Sequence, residues 1–370
     1  MTSIVQIGMD VHKNSFTVCC YDIESEKTKH MNVLEPDYKQ VIKYIASVRK
    51  HYPDGTEFVC GYEAGCLGYS LYNELTAHHV KCVILAPTTM PNLNNQRYKT
   101  DKRDAENIAK CMAYHTYKAV YVPSQEDNRI KEYIRMRDDH KVAIKRIKQQ
   151  ILAFCLRFDK KYSKDNWTQT HIKWLKHLSF DDEILQETFE EYLITFAYLL
   201  SKIEMLDKRI EEFAHNQTYA ERVKRLECFL GIKAKTALSI VVEIGDFNRF
   251  ATAEHFASYL GLTPGEHSSG DKQFRTGITK AGNGHIRKLL IEAAHGYPRG
   301  SVGFKSKELI KRQEGNPPEV IAYADKANER LRKRCYKLML KGNKNRNVAI
   351  TATARELSCF IWGMMTDHIA

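Results

Sequence analysis

Three short apolar runs separated by polar turns open the chain: Ile4 to Met9, Phe16 to Tyr21 and the weaker Lys29 to Leu34. Together they demand a strand meander. Pro36 and Asp37 then start an amphipathic stretch in which Val41, Ile42, Ile45 and Val48 recur at helical spacing, ending near Pro53-Asp-Gly55. Phe58 to Tyr62 reads as a strand, Leu67 to His78 as a helix, Lys81 to Ala86 as a strand closed by Pro87, and Asp101 to His115 as a helix. The expected order is β-β-β-α-β-α-β-α, which calls for a mixed sheet covered by helices.

That order is the one an RNase H-like (RuvC-like) fold requires, and four acids fall on it. Asp10 lies in Ile7-Gly-Met-Asp-Val11 and Glu63 in Val59-Cys-Gly-Tyr-Glu-Ala-Gly65, each at the end of a strand-like run. Asp101 and Asp104 begin the last helix, in Lys99-Thr-Asp-Lys-Arg-Asp-Ala-Glu-Asn-Ile-Ala109, three apart and so on one face of one turn. Carboxylates that close repel one another unless a divalent cation lies between them, so the quartet predicts a hard-metal phosphoryl-transfer site. Taken singly, each acid is equally a turn former, a cap or a solvated first-turn acid favoured by the helix dipole. The joint placement carries the metal reading. Lys99, Lys102 and Arg103 either hold phosphates beside the acids or neutralise them.

At 370 residues the chain exceeds one ordinary core, and the expected division is 1–123, 124–222 and 223–370. A net charge of +12 favours an acidic polymer as partner, nucleic acid first. Ten cysteines without a C-x-x-C pair read as small buried groups in a reducing compartment. With no charged-then-apolar leader and no run of 18 apolar residues, a cytoplasmic protein without a membrane span is expected.

From Glu126 to Phe158 the pattern becomes one long helix, with Ile130, Ile134, Ile144, Ile147, Ile151, Phe154 and Phe158 mostly at intervals of three, four or seven. Asp182 to Phe213 repeats Leu185, Phe189, Leu193, Phe196, Leu200, Ile203, Leu206, Ile210 and Phe213 near a 3.5 period. The pair predicts an antiparallel coiled-coil arm, closed within the chain or between copies. Leu226 to Ser239 reads as helix, glycine turn and second helix, either a helix-hairpin-helix that holds a backbone phosphate or a plain αα-hairpin. A Gly, Pro and Ser-rich loop follows from Tyr259 to Gly270, with Lys272, Arg275, Lys280 and Arg287 among small residues beyond it. Such a loop can bring a serine hydroxyl against a phosphate with little hindrance. Arg299 to Arg346 holds 14 Lys and Arg against 5 Asp and Glu, a phosphate-contact candidate, before an apolar closing helix from Val348 to Met365.

Two separated motif sets resemble one known family. The first is Gly8-Met-Asp-Val-His-Lys13, Tyr62-Glu-Ala-Gly65 and Lys99 to Ala109; the second is Gly245-Asp-Phe-Asn-Arg-Phe250, Gly261-Leu-Thr-Pro264, Ser268-Ser-Gly270, Gly277-Ile-Thr-Lys280 and Gly282-Asn-Gly-His-Ile-Arg287. Order and spacing are similar, from about residue 4 to about residue 298, to the DEDD insertion-sequence transposases of the IS-110 type, relatives of the pilin-gene invertases. The resemblance implies that Asp10, Glu63, Asp101 and Asp104 bind Mg²⁺, with Mn²⁺ as a substitute, and that Ser269, with Ser268 in reserve, is the nucleophile. It also implies donor and target DNA as substrates, a guide non-coding (bridge) RNA, a homodimer or homotetramer, and a bacterial cytoplasmic protein that joins the nucleoid when bound to DNA. Lys102, Arg103, Lys233, Lys272, Arg275, Lys280 and Arg287 are the expected nucleic-acid contacts. The family's hairpin turn often reads Gly-x-Gly, whereas Gly231-Ile-Lys233 stands here, so Lys233 would put a charge where an amide is expected.

A bare serine is a poor nucleophile at neutral pH, and metal held by the acids would supply the missing charge stabilisation. The rival enzyme is a RuvC-type nuclease that uses water on branched DNA. An actin-like kinase would need further Gly-rich nucleotide loops on a second similar half, which this sequence lacks, and the non-enzymatic alternative is a nucleic-acid-binding accessory protein.

Overall fold

The computed structural model describes residues 4–23, 25–65, 67–91, 100–269, 272–342 and 344–369, without the side chains of 267–269, 272–275 and 341. The chain forms two compact units, Met1–Val122 and Pro123–Ala370.

In the first unit β1 (Ile4–Val11), β2 (Phe16–Asp22) and β3 (Lys27–Leu34) form the expected meander. α1 (Tyr38–Arg49), β4 (Glu57–Glu63), α2 (Ser70–Ala77), β5 (Lys81–Leu85) and α3 (Asp101–Ala113) follow. Strand order is β3-β2-β1-β4-β5, antiparallel from β3 to β1 and parallel from β1 to β5, consistent with an RNase H-like domain.

The period of two in the strands divides the unit into layers. Val5, Ile7 and Met9 of β1, Phe16, Val18 and Cys20 of β2, and Phe58, Cys60 and Tyr62 of β4 pack with Val41, Ile45 and Val48 of α1 and with Leu71 and Leu75 of α2. Ile7 and Met9 are wholly buried, each contributing about 1.5–3 kcal/mol. Cys19 and Tyr21 face the opposite way, against Ala105, Ala109 and Ala113 of α3. On that side β1 and β4 present glycines. A Cβ on Gly8 would stand 2.1 Å from the Ala105 carbonyl oxygen and 2.4 Å from the Ala109 nitrogen, and one on Gly61 would stand 2.3 Å from Met112 Sδ. Two glycines below and a row of alanines above let α3 lie almost on the strand backbones.

The second unit begins with two long helices, α4 (Gln125–Arg157) and α6 (Glu183–Ala214), with the short α5 (Gln169–His177) between them. They run antiparallel. Phe154, near the end of α4, stacks on Phe189, near the start of α6, while Tyr133 meets Phe213 edge-on. Arg137 fixes the register: its Nε and Nη2 donate to the two oxygens of Asp207, both at 2.7 Å. An apolar cluster of Ile144, Ile147, Ile151, Phe154, Phe189 and Phe196 fills the outer part of this hairpin. At its base Ile130, Ile134, Ile210 and Ala214 join the core of the C-terminal helices.

Those helices are α7 (Ala220–Glu227), α8 (Ala234–Ile244) and α9 (Ala253–Tyr259), then α10 (Gly284–Ala294), α11 (Lys307–Gln313), α12 (Pro318–Tyr336) and α13 (Arg346–Met365). Between α9 and α10 the segment expected to be a loop is an antiparallel β-hairpin, β6 (Pro264–Ser269) and β7 (Lys272–Ile278). The described cysteines are free, and all but Cys359 are buried. Among the described residues no helix is long and apolar enough to cross a membrane.

Candidate metal centre

Asp10 and Glu63 stand on neighbouring parallel strands, one step beyond the Met9–Tyr62 pair. By strand period they fall on the same face as Gly8 and Gly61, the face that α3 covers. Thr100 caps α3 through its side chain, which places Asp101 in the first helical position and Asp104 one turn on. All four acids line one cleft of about 510 Å³, together with His12, Tyr62, Gly65 and Leu67. The two glycines therefore do more than pack the helix: they bring its acidic end to the strand ends.

The tightest group is Asp10, His12 and Asp101, whose ligand atoms all lie within 4.8 Å of one another. His12 Nε2 is 3.1 Å from Asp10 Oδ2 and 4.0 Å from Asp101 Oδ1. Glu63 and Asp104 line the cleft outside that group. Asp10 is the least exposed member, its side chain 16% exposed against 60% for Asp101. Burial pushes its carboxyl above the usual range, the imidazole of His12 pulls it back, and the charges of Asp104 and Asp101 push it up again. Three carboxylate neighbours, one imidazole and an open mouth are a donor set that fits a hard divalent cation, which would relieve the repulsion on Asp10. Sequence reasoning passed over His12 as a site residue. The signal was its place two residues beyond Asp10, where the strand period puts both on one face.

The remaining expected residues are distributed as follows. Lys102 and Arg103 are exposed on the first turn of α3. Lys233 precedes α8 and pairs with Glu308 at 2.7 Å. In the turn before it, Gly231 has φ +84° and lies so close to α10 that a Cβ would meet the Ala293 carbonyl oxygen at 2.3 Å. Lys280 is exposed with φ +57°. Arg287 Nη1 donates to the carbonyls of Leu260 at 2.8 Å and Ala281 at 3.3 Å, so its guanidinium holds the chain's own backbone. Ser268 pairs with Gln273 and Ser269 with Lys272 in the β6–β7 ladder, but the side chains of Ser268, Ser269, Lys272 and Arg275 lie outside the described ones, as does Lys99 entirely. The base of this hairpin is fixed. Thr279 N donates to Thr263 O at 2.9 Å, and Asn283, which caps α10 with its side chain, donates through Nδ2 to Glu243 at 3.2 Å.

Residues 7–158 match a family model described as a transposase, of the DEDD type in IS110 elements, and residues 223–298 match one described as the transposase IS116/IS110/IS902 family. The chain is 32% identical over 346 residues to the transposase for insertion sequence element IS1533 of Leptospira borgpetersenii, covering 92% of this chain and 98% of that one. The chain belongs to the IS110-type transposases. A putative transposase of Sinorhizobium fredii is 32% identical over 333 residues, covering 89% of this transposase and 79% of its own length. The pilin gene-inverting protein of Moraxella bovis is 26% identical over 296 residues, 78% of this transposase and 81% of that protein. The family is one of enzymes that act on DNA, and the acids that carried the resemblance are those gathered in the cleft.

Proposed function

We propose that this transposase is a Mg²⁺-dependent DNA recombinase, with Mn²⁺ as a substitute ion, that inserts its element through a serine nucleophile. The observation that supports it is the convergence of Asp10, Glu63, Asp101 and Asp104 on one cleft. Mg²⁺ bound there supplies positive charge to the phosphate oxygens. Asp10 and Glu63 hold their places through the strands, Asp101 and Asp104 through the capped helix, so the carboxylates are positioned before any substrate arrives. His12 hydrogen-bonds Asp10 and orients it.

Ser269, with Ser268 in reserve, attacks the scissile phosphate. A serine ester of the phosphate forms as one P–O bond of the DNA breaks and a sugar hydroxyl leaves. One phosphodiester is exchanged for another, so religation needs no ATP. The likeness to a pilin gene-inverting protein favours strand exchange between defined donor and target DNA. The family resemblance and the +12 charge favour a guide RNA as second partner. The 124–222 helices act as a coiled-coil arm in a dimer or tetramer, and Lys102, Arg103, Lys233, Lys272, Arg275, Lys280 and Arg287 contact nucleic acid. Gly231 to Lys233 serves as the turn of a helix-hairpin-helix, in a bacterial cytoplasmic protein found on the nucleoid when bound to DNA.

Supercoiled plasmid bearing element ends and target, incubated with protein and Mg²⁺, tests the chemistry. A protein-linked strand is expected, absent with EDTA and absent in Ser269→Ala. Free 5′-phosphates without any adduct would instead identify a water-using nuclease of the RuvC type.

A further inference from the structure

A second cleft, of about 450 Å³, lies among α9, α12 and α13, far along the chain from the acids, and its wall carries Arg330, Arg334, Arg355, Glu356, Phe360 and Trp362. Glu356 organises it. Its side chain is 14% exposed; Oε1 accepts from Arg330 Nε at 2.5 Å and Oε2 lies 2.8 Å from Arg334 Nε. The two arginines are four apart on α12 and share one face. The carboxylate hydrogen-bonds Arg330 through Oε1 and pairs with Arg334 by charge alone, Oε2 accepting no hydrogen bond, so one acid holds two like charges side by side. Their side chains stay 67% and 48% exposed, which leaves the outer guanidinium nitrogens accessible. Arg355, beside Glu356 on α13, adds a third guanidinium, whose buried Nε has no hydrogen-bond partner. Paired planar forks of this kind match the oxygens of a phosphate.

Aromatic rings form part of the remaining wall, which also holds Glu254, Cys359 and small residues. The Arg330 guanidinium lies 5.9 Å from the Phe360 ring centre. Trp362 is fixed by its indole N–H to the Phe250 carbonyl at 3.1 Å, and His368 stacks on its ring at 4.9 Å. Cationic forks at the rim with aromatic rings behind them are the elements that hold an unpaired nucleotide, phosphate outside and base within. The volume suits one small ligand rather than a duplex.

We propose that this cleft binds one unpaired nucleotide of a nucleic-acid strand, its phosphate on Arg330, Arg334 and Arg355 and its base against the Phe360 and Trp362 wall. The proposal rests on the nucleic-acid reading above and gives it a second site. A melted DNA end and an unpaired loop of RNA offer the same chemistry, so both are probed.

Anisotropy titrations use a short fluorescent single-stranded DNA, the RNA of the same sequence and the matching DNA duplex. Arg330→Ala with Arg334→Ala is expected to weaken single-strand binding about tenfold or more while changing duplex binding less than about twofold. Glu356→Gln separates a built fork from a diffuse basic patch. A patch binds more tightly once a negative charge is removed; the fork, losing its template, binds several-fold more weakly.

Unmutated protein gives an independent readout, because Cys359 lines the same cleft. Its alkylation by iodoacetamide, mapped by mass spectrometry, is expected to slow with the single strand that binds and not with duplex. Stronger protection by DNA or by RNA supports the site and names its strand. Unchanged single-strand affinity in the double variant, tighter binding by Glu356→Gln, or unprotected Cys359 overturns the proposal. A wild-type protein that binds none of the three probes overturns the nucleic-acid reading as well.

Discussion

Each unit of this transposase gathers like charges in a cleft, and the two differ in how those charges are compensated. In the first, four carboxylates face one close imidazole, and the half-buried Asp10 holds its proton more tightly than a free carboxylate because of that burial and the nearby Asp104 and Asp101. In the second, Glu356 stands between Arg330 and Arg334 and bridges them. An excess of one sign makes a site that a ligand must complete. A cluster partly offset from within, as Arg330 and Arg334 are by Glu356, is held together on folding and keeps its remaining positive excess at its outer edge.

The largest effect on this contrast is expected from Gly8→Ala. The new Cβ meets the Ala105 carbonyl oxygen at 2.1 Å, so α3 must move, at a cost of about 3 kcal/mol in urea unfolding and with loss of metal binding. Wild-type stability in that variant would mean that α3 does not rest on β1.

Asp10→Asn comes next, and its sign is the informative part. A group whose pKa is raised on folding contributes stability below its unfolded pKa and loses it as pH rises through the folded value. At neutral pH ionised Asp10 is therefore a liability without metal, and Asp10→Asn should melt above wild type in EDTA. With Mg²⁺ the order reverses, because only wild type gains from binding. Calorimetric Mg²⁺ affinity should likewise rise with pH through the carboxylate range, since the proton on Asp10 must leave. A variant that melts below wild type in EDTA would break the contrast.

Glu356→Gln should do the opposite and destabilise, by less than about 1 kcal/mol, since the arginines it holds are largely exposed. Thr100→Ala, which removes only the cap of α3, should cost at most about 1 kcal/mol in the same urea titration.

The first unit was legible because its signals are local. Short apolar runs punctuated by polar turns placed β1, β2, β4 and β5 within two residues of their ends, and the acids inherited their positions from those ends. What the sequence hid was made by contacts between distant segments. The Gly, Pro and Ser-rich stretch before Gly270 shows no apolar alternation, yet it forms β6, held at its base by backbone bonds between Thr263 and Thr279 and between Gly261 and Lys280. The arginine cleft joins Glu254 of α9 to residues of α12 and α13, and neither the basic pattern of α12 nor the apolar pattern of α13 reveals it alone. α5 escaped notice as a short helix between two much longer periodic segments.

Gly8 has one consequence at a distance. A Cβ there would meet Ala105 and Ala109 of α3 and not a carboxylate, but by fixing how near α3 lies to β1 this glycine sets the span between Asp101 and Asp10. Mg²⁺ needs oxygens at about 2.1 Å in strict octahedral array, whereas Ca²⁺ accepts longer and less regular contacts. If the proposed Mg²⁺ is the ion held, its fit is thus set by a hydrogen atom in the middle of a strand, where a methyl group would push the two oxygens too far apart to hold it.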